Sequence, residues 1–232
     1  MSINLNLNDL DVDGAIRESA EDAGLDRSDF IRKGVLAGGG LLAGTALFAQ
    51  YVDPAAAAIS TRRKSAANDV KILNFALTLE FLEAEFYREA RVNNAYLNPS
   101  YERFGVVVAR HEARHVSFLR GALGSKAIRK PRFDFKDTVT DPNKFAATSQ
   151  VLEDTGVMAY LGQVANVRQD SVLAAAGTIA TVEARHAAWI RFLNGGGAPD
   201  AVNSKLPAPS TFDLRRSERT ILKAVGDTGF IQ

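Results

Sequence analysis

The sequence predicts an all-α protein whose main body is a four-helix bundle formed by two similar helix hairpins. Four long segments show helical periodicity, and no segment of comparable length alternates between apolar and polar residues as a strand does. The tetrapeptide Glu-Ala-Arg-His occurs in the second of these segments and again in the fourth. A chain of 232 residues, 46% of them hydrophobic, is long enough to bury such a core. The absence of cysteine excludes disulfides and thiolate metal sites.

The connections between the four segments predict how the helices pair. We predict helices over residues 69–92, 101–123, 143–167 and 171–193. The first two and the last two are joined by short loops, so each pair is predicted to form an antiparallel hairpin. Asp170 or Ser171 is predicted to cap the fourth helix. About twenty residues connect the hairpins, enough to run the length of a bundle, so we predict one long crossover.

The two predicted hairpins repeat each other in sequence. In the first helix of each hairpin, a glutamate is followed two helical turns later by a tyrosine: Glu80 by Tyr87, and Glu153 by Tyr160. In the second helix of each hairpin, the tetrapeptide Glu-Ala-Arg-His occupies positions 112–115 and 183–186. The two pairs of matches follow the same order and are separated by nearly the same length of chain. This agreement in both helices indicates two-fold pseudo-symmetry.

The repeated glutamates and histidines are predicted to point into the apolar core. Because residues three or four apart share a helix face, Glu112 and His115 lie on the stripe that carries Val108 and Leu119. Unpaired ions in such a core would cost several kcal/mol each, whereas two divalent cations would balance four carboxylates. We therefore predict a two-metal site whose nitrogen and oxygen ligands suit iron or manganese. The predicted ligands are Glu80, Glu112, His115, Glu153, Glu183 and His186.

A glutamate from each of two helices, with Glu-x-x-His from each of the other two, resembles the metal site of the ferritin-like di-iron and di-manganese proteins. The resemblance covers residues 67–194, and residues 77–87 are similar to the first helix of bacterial ferritin-like proteins grouped with the plant desiccation-related proteins. It implies a ferritin-like four-helix bundle that holds two iron ions, with manganese as the alternative. It also assigns roles to the six ligands: bridging for Glu112 and Glu183, terminal for His115 and His186, and either role for Glu80 and Glu153.

Other polar residues lie near the predicted ligands. Tyr87 and Tyr160 are expected to hold ligands in place by hydrogen bonds, which metal sites commonly need. Glu83 shares the inward face of its helix and could replace or supplement Glu80, although a role beside the ligands or lining a channel is favoured. His111 lies about 100° around the helix from Glu112, so we predict a neighbour of the site rather than a ligand.

The residues before the bundle divide into two predicted segments. Residues 1–26 are polar and acidic and are predicted to be mobile. Residues 27–58 run from charged residues through an apolar stretch at 34–52 to four alanines, an order that resembles a twin-arginine export signal. Ser28 stands where that signal has its second arginine. We expect export to the periplasm or cell envelope. The alternatives are a cytoplasmic protein or one associated with a membrane through 34–52.

The resemblance also leads to the expected function. A reduced dinuclear centre would react with dioxygen or peroxide, giving ferroxidase, oxidase or peroxide-scavenging activity. The alternative is a structural or desiccation- and stress-protective protein in which the metal site is only structural or lost. We expect a homo-oligomer with a C-terminal arm at 195–232, which includes a short helical patch at 217–225. We expect no nucleic-acid partner, because the basic cluster at 126–132 is short and typical of a solvated loop.

Overall fold

The computed structural model describes residues 58–196 and 206–232, and these residues form five α-helices. The helices are α1 (Ala66–Val92), α2 (Pro99–Leu123), α3 (Pro142–Gln163), α4 (Asp170–Asn194) and α5 (Glu218–Thr228). Extended pairing within the described residues is limited to one isolated antiparallel bridge between Phe133 and Ile231. The all-α prediction is therefore confirmed. The segments predicted at 1–26 and, except for Ala58, at 27–58 lie outside the described residues.

Three of the bundle helices begin at local caps that the sequence provides. Ser65 accepts a hydrogen bond from the Asn68 amide at the start of α1. Asn98 and Asp141 cap α2 and α3 in the same way, and each is followed by a proline, whose missing amide hydrogen costs nothing at a first helical position.

The start of α4 differs from the prediction. Neither Asp170 nor Ser171 caps it, because the cap position is Gln169, whose side chain makes no capping bond. Instead, the buried carboxylate of Asp69 in α1 accepts hydrogen bonds from the backbone amides of Arg168 at 2.8 Å and Gln169 at 3.0 Å. An acceptor from another helix thus satisfies backbone donors that a local cap would have served. In addition, α3 ends at Gln163, and a 3-10 turn occupies 164–166, where a helix to 167 was predicted.

Contacts between the hairpins establish the bundle topology. Glu80 in α1 contacts Tyr160 in α3, and further along α1, Tyr87 contacts Glu153, so α1 and α3 run in opposite directions. Because α1 packs mainly on α2 and α3 mainly on α4, the segment 124–141 between the hairpins must run from one end of the bundle to the other. It carries Phe135 into the core, where the ring packs edge-on against Phe86. The single long crossover is thus present.

The C-terminal segment packs back onto the bundle. The Arg216 amide donates to the Met158 carbonyl at 3.1 Å, and Ile221, Val225 and Phe230 are buried in the larger of two apolar clusters. At Gly162 in α3, an added Cβ would lie 1.8 Å from the Arg216 carbonyl oxygen, so only glycine allows this approach. Across the described residues, no helix is both long and apolar enough to cross a membrane.

Candidate metal centre

The structure brings the six predicted ligands together in the middle of the bundle. Each helix of the bundle contributes: α1 carries Glu80, α2 Glu112 and His115, α3 Glu153, and α4 Glu183 and His186. The four glutamates are at most 1% exposed. The three-residue spacing of each Glu-x-x-His pair puts both side chains on one helix face, about one turn apart.

Two overlapping groups of four residues could each hold an ion. The first group, which we call the His115 position, contains Glu80, Glu112, His115 and Glu183, with one donor atom from each within 4.8 Å of the others. The second group, the His186 position, contains Glu112, Glu153, Glu183 and His186 at the same spacing. Glu112 and Glu183 belong to both groups. The geometry therefore suits two neighbouring ions that share two carboxylates.

Both imidazoles turn the same nitrogen toward the carboxylates. Nδ1 of His115 lies 3.1 Å from carboxylate oxygens of Glu80, Glu112 and Glu183. Nδ1 of His186 lies 3.1 Å from Glu112, 3.2 Å from Glu153 and 3.9 Å from Glu183. In each group, Nδ1 is therefore the nitrogen placed to bind a metal.

Two tyrosines connect the hairpins at the site. The Tyr87 hydroxyl in α1 donates to Oε1 of Glu153 in α3, and the Tyr160 hydroxyl in α3 donates to Oε1 of Glu80 in α1, both at 2.5 Å. The other oxygen of each glutamate, Oε2, faces the histidine of its own group. Each tyrosine thus orients a glutamate of the opposite hairpin and keeps its other oxygen on the side of the histidine, where an ion would bind.

Burial and charge strongly shift the acidities of the cluster. Burial raises the pKa of Glu80 to about 8 against the opposing hydrogen bond of His115, and burial with neighbouring carboxylates raises the pKa of Glu183 well above its usual value. Burial alone would lower the pKa of His186, but hydrogen bonds with Glu112 and Glu153 outweigh it and raise the value to about 10. Without metal, shared protons therefore hold the carboxylates together.

Three buried oxygens of the shared glutamates lack a well-aligned hydrogen-bond donor. They are Oε1 of Glu112 and both Oε1 and Oε2 of Glu183. A buried carboxylate oxygen without a donor costs about 1–3 kcal/mol or more. A divalent cation between the two groups would satisfy these oxygens, so the donor set fits a metal better than it fits a set of protons.

Glu83 is buried beside the cluster but belongs to neither group. A Cβ added at Gly156 would lie 3.3 Å from Oε1 of Glu83 and 3.3 Å from Oε2 of Glu183. Gly156 is the repeat counterpart of Glu83, because it follows Glu153 at the spacing at which Glu83 follows Glu80. The missing side chain on α3 therefore leaves space for the extra carboxyl of α1. Glu83 thus lies beside the predicted ligands, and its role there stays a prediction.

His111 makes a contact that the sequence did not reveal. Its Nδ1 lies 2.8 Å from Nε2 of His186, on the side of the ring away from the carboxylates. The helical angle from Glu112 correctly indicated a neighbour of the site, yet it could not indicate a partner on α4. The sequence did offer one signal that His111 belongs near the site: all three histidines of the chain lie within the repeated stretches or next to them.

Comparison with known families agrees with this geometry. The family model described as a ferritin-like domain matches residues 68–196, more than half of the chain. The chain belongs to the ferritin-like domain family. The matched range of this ferritin-like protein contains α1 to α4 apart from the first two residues of α1, and therefore every residue of the cluster. A search of curated proteins found no match. Membership supports the bundle and a metal site, and a fold of this kind can host many different reactions.

Proposed function

We propose that this ferritin-like protein binds two iron ions, with manganese as the alternative, at the His115 and His186 positions. One observation carries the proposal: two four-residue groups share Glu112 and Glu183, and three of the four buried oxygens of this pair lack a well-aligned hydrogen-bond donor. Two divalent ions would bring a formal charge equal and opposite to that of four carboxylates. Glu112 and Glu183 would bridge the ions, and each histidine would bind one ion through Nδ1.

The second part of the proposal is a redox role toward dioxygen or peroxide. Two adjacent iron ions, when bound, supply the capacity to exchange two electrons with such a substrate. The chain contributes a dry surrounding, since the glutamates are almost fully buried. Tyr87 and Tyr160 keep the glutamates oriented. These features support ferroxidase, oxidase or peroxide-scavenging activity.

A structural role is the second candidate function, and one observation favours it. The cluster draws side chains from all four helices of the bundle, so bound ions would cross-link both hairpins. Metal would then raise the stability of the fold without any turnover. A desiccation- or stress-protective protein would fit this arrangement.

The first experiment measures metal content in protein purified without chelators. We expect about two iron or manganese ions per chain by elemental mass spectrometry. The double substitution Glu112→Gln and Glu183→Gln, which keeps side-chain size, should abolish binding. The substitution Glu102→Gln, at an exposed position on the same helix as Glu112, serves as the control. Metal-free wild type, after incubation with either ion, would contradict the proposal.

Oxygen consumption distinguishes the two roles. With the redox role, wild type should consume oxygen with ferrous ion faster than ferrous ion alone, and the double variant should not. With the structural role, wild type should match the protein-free rate, while added metal raises the melting temperature of wild type but not of the double variant.

We also propose export, which the charge and hydropathy order of residues 27–58 supports. Mass spectrometry of the natively produced protein tests this proposal. A chain that begins near Ala58 is expected, and an intact N-terminus in the cytoplasmic fraction would overturn it.

A further inference from the structure

The two hairpins carry matching ligands and tyrosines. They differ at the position directly before the Glu-x-x-His pair. Glu112 and His115 in the first hairpin correspond to Glu183 and His186 in the second. His111 directly precedes Glu112, and Val182 directly precedes Glu183, so these two residues also correspond. The imidazole of His111 therefore has no polar counterpart in the second hairpin.

His111 contacts the ring of His186 on the edge opposite its carboxylate-facing edge. Nδ1 of His186 faces Glu112 and Glu153 at 3.1 and 3.2 Å. Nε2 of the same ring lies 2.8 Å from Nδ1 of His111, and the two ring planes differ by only 18° with their centroids 5.1 Å apart, so the rings meet edge to edge. The ring of His186 is thus held from both edges.

This contact sets the tautomers once Nδ1 of His186 binds an ion. A metal-bound Nδ1 uses its lone pair, so the ring proton must lie on Nε2. Nε2 then donates, and Nδ1 of His111 accepts. A histidine ligand that donates its second N–H to an acceptor is oriented and made more basic, which commonly changes metal affinity by about 10–100-fold.

The other histidine ligand lacks this support. His115 faces its three carboxylates through Nδ1, and no hydrogen bond to its Nε2 occurs among the described residues. Its side chain is also more exposed than that of His186, at 13% against 3%. One ring is therefore fixed in orientation, and the other is held at one edge.

We propose that the two metal positions are unequal, and that His111 makes the His186 position the tighter one by acting as a positioning residue for His186. The inference rests on the proposed two-metal site. It adds an order of filling, in which the first ion occupies the His186 position and the second occupies the His115 position.

The test titrates metal-free wild-type protein with Co²⁺ under anaerobic conditions and follows binding by visible absorption. Two steps are expected, with affinities that differ by about 10–100-fold. Glu153→Gln, which alters only the His186 position, should remove the tight step. Glu80→Gln, which alters only the His115 position, should remove the weak step and leave the tight one.

Substitutions of His111 then test its role. His111→Val, which installs the residue of the second hairpin, should weaken the tight step by about 10–100-fold and leave the weak step unchanged. His111→Gln offers a carbonyl acceptor and should restore most of the loss. In Co²⁺-loaded wild type, the contact-shifted Nε2–H proton of His186 should exchange slowly with solvent, and His111→Val should accelerate that exchange.

Several results would overturn the inference. They are two equal steps in wild type, a tight step that survives Glu153→Gln, and a His111→Val variant that weakens both steps alike or neither. Each of these leaves the two-metal site standing. A wild type that binds no Co²⁺, iron or manganese would overturn the proposed function together with this inference.

Discussion

The two hairpins of the bundle present the same set of side chains to the site, but they surround it differently. α1–α2 and α3–α4 each supply a glutamate, a Glu-x-x-His pair and a tyrosine. Only the first hairpin adds Glu83 and His111, where the second has Gly156 and Val182. His111 contacts His186 in α4, and Glu83 lies near Glu183 of the same helix. The repeat therefore builds two ion positions, and the unmatched residues make them chemically different.

The largest expected effect separates shared from unshared ligands. Glu183→Gln should remove both ions, because this carboxylate belongs to both groups. Glu80→Gln should remove only one, because Glu80 belongs to the His115 position alone. Elemental mass spectrometry of the two purified variants, with circular dichroism to check the fold, measures the difference. Equal metal loss in both variants would mean that the positions do not fill independently.

The next effect concerns the protons that hold the two halves together without metal. The folded protein keeps the proton of Glu80 up to a pH of about 8, while the unfolded chain loses it near 4.5. Glu183 shifts in the same direction, because its pKa is also raised. Between these pH values the folded state binds more protons than the unfolded state, so stability falls as pH rises.

His186 adds to this trend at higher pH. Its pKa is raised to about 10, so the folded state also holds this extra proton above the ordinary value of 6.5. We expect chelated protein to lose several kcal/mol of unfolding free energy between pH 5.5 and pH 8.5, measured by urea unfolding. Saturating Mn²⁺ should reduce the loss, because the ion replaces the protons. Stability that rises with pH in chelated protein would contradict the assigned protonation.

Removing the tyrosine hydroxyls should affect the two positions separately. Tyr87→Phe leaves Oε1 of Glu153 without its donor, and Tyr160→Phe does the same to Glu80. Each loss is expected to cost about 1–3 kcal/mol of unfolding free energy in metal-free protein. Tyr87→Phe should weaken the His186 position, and Tyr160→Phe should weaken the His115 position. A Co²⁺ titration in which both variants weaken the same step would argue against separate positions.

The smallest effect compares two helical glycines. Gly177→Ala in α4 meets open space and should stabilise the protein by about 1 kcal/mol through helix propensity. Gly156→Ala has the same propensity gain but would bring a Cβ to 3.3 Å from carboxylate oxygens of Glu83 and Glu183. We expect a smaller gain and weaker metal binding there. An equal gain from the two substitutions, measured by urea unfolding, would show that these carboxylates move aside freely.

Much of the candidate site could be predicted because its signal is local. A seven-residue spacing relates Glu80 to Tyr87, and a three-residue spacing relates Glu112 to His115, so helix geometry alone places each pair on one face. Repetition of both spacings in the second half indicated that all these faces turn inward. The start of α4 was predicted wrongly for the opposite reason, because Asp69 lies about a hundred residues before the amides it binds.

By itself, the sequence determined the all-α class, the two hairpins, and the glutamates and histidines that could meet in the core. These features could be predicted because helical periodicity relates neighbouring residues, and the repeat compares two such local patterns. Only the tertiary structure decided that two glutamates are shared, that each tyrosine binds a glutamate of the other hairpin, and that His111 lies behind His186. These contacts join residues 66–80 positions apart, and local periodicity contains no information about which distant helix faces meet.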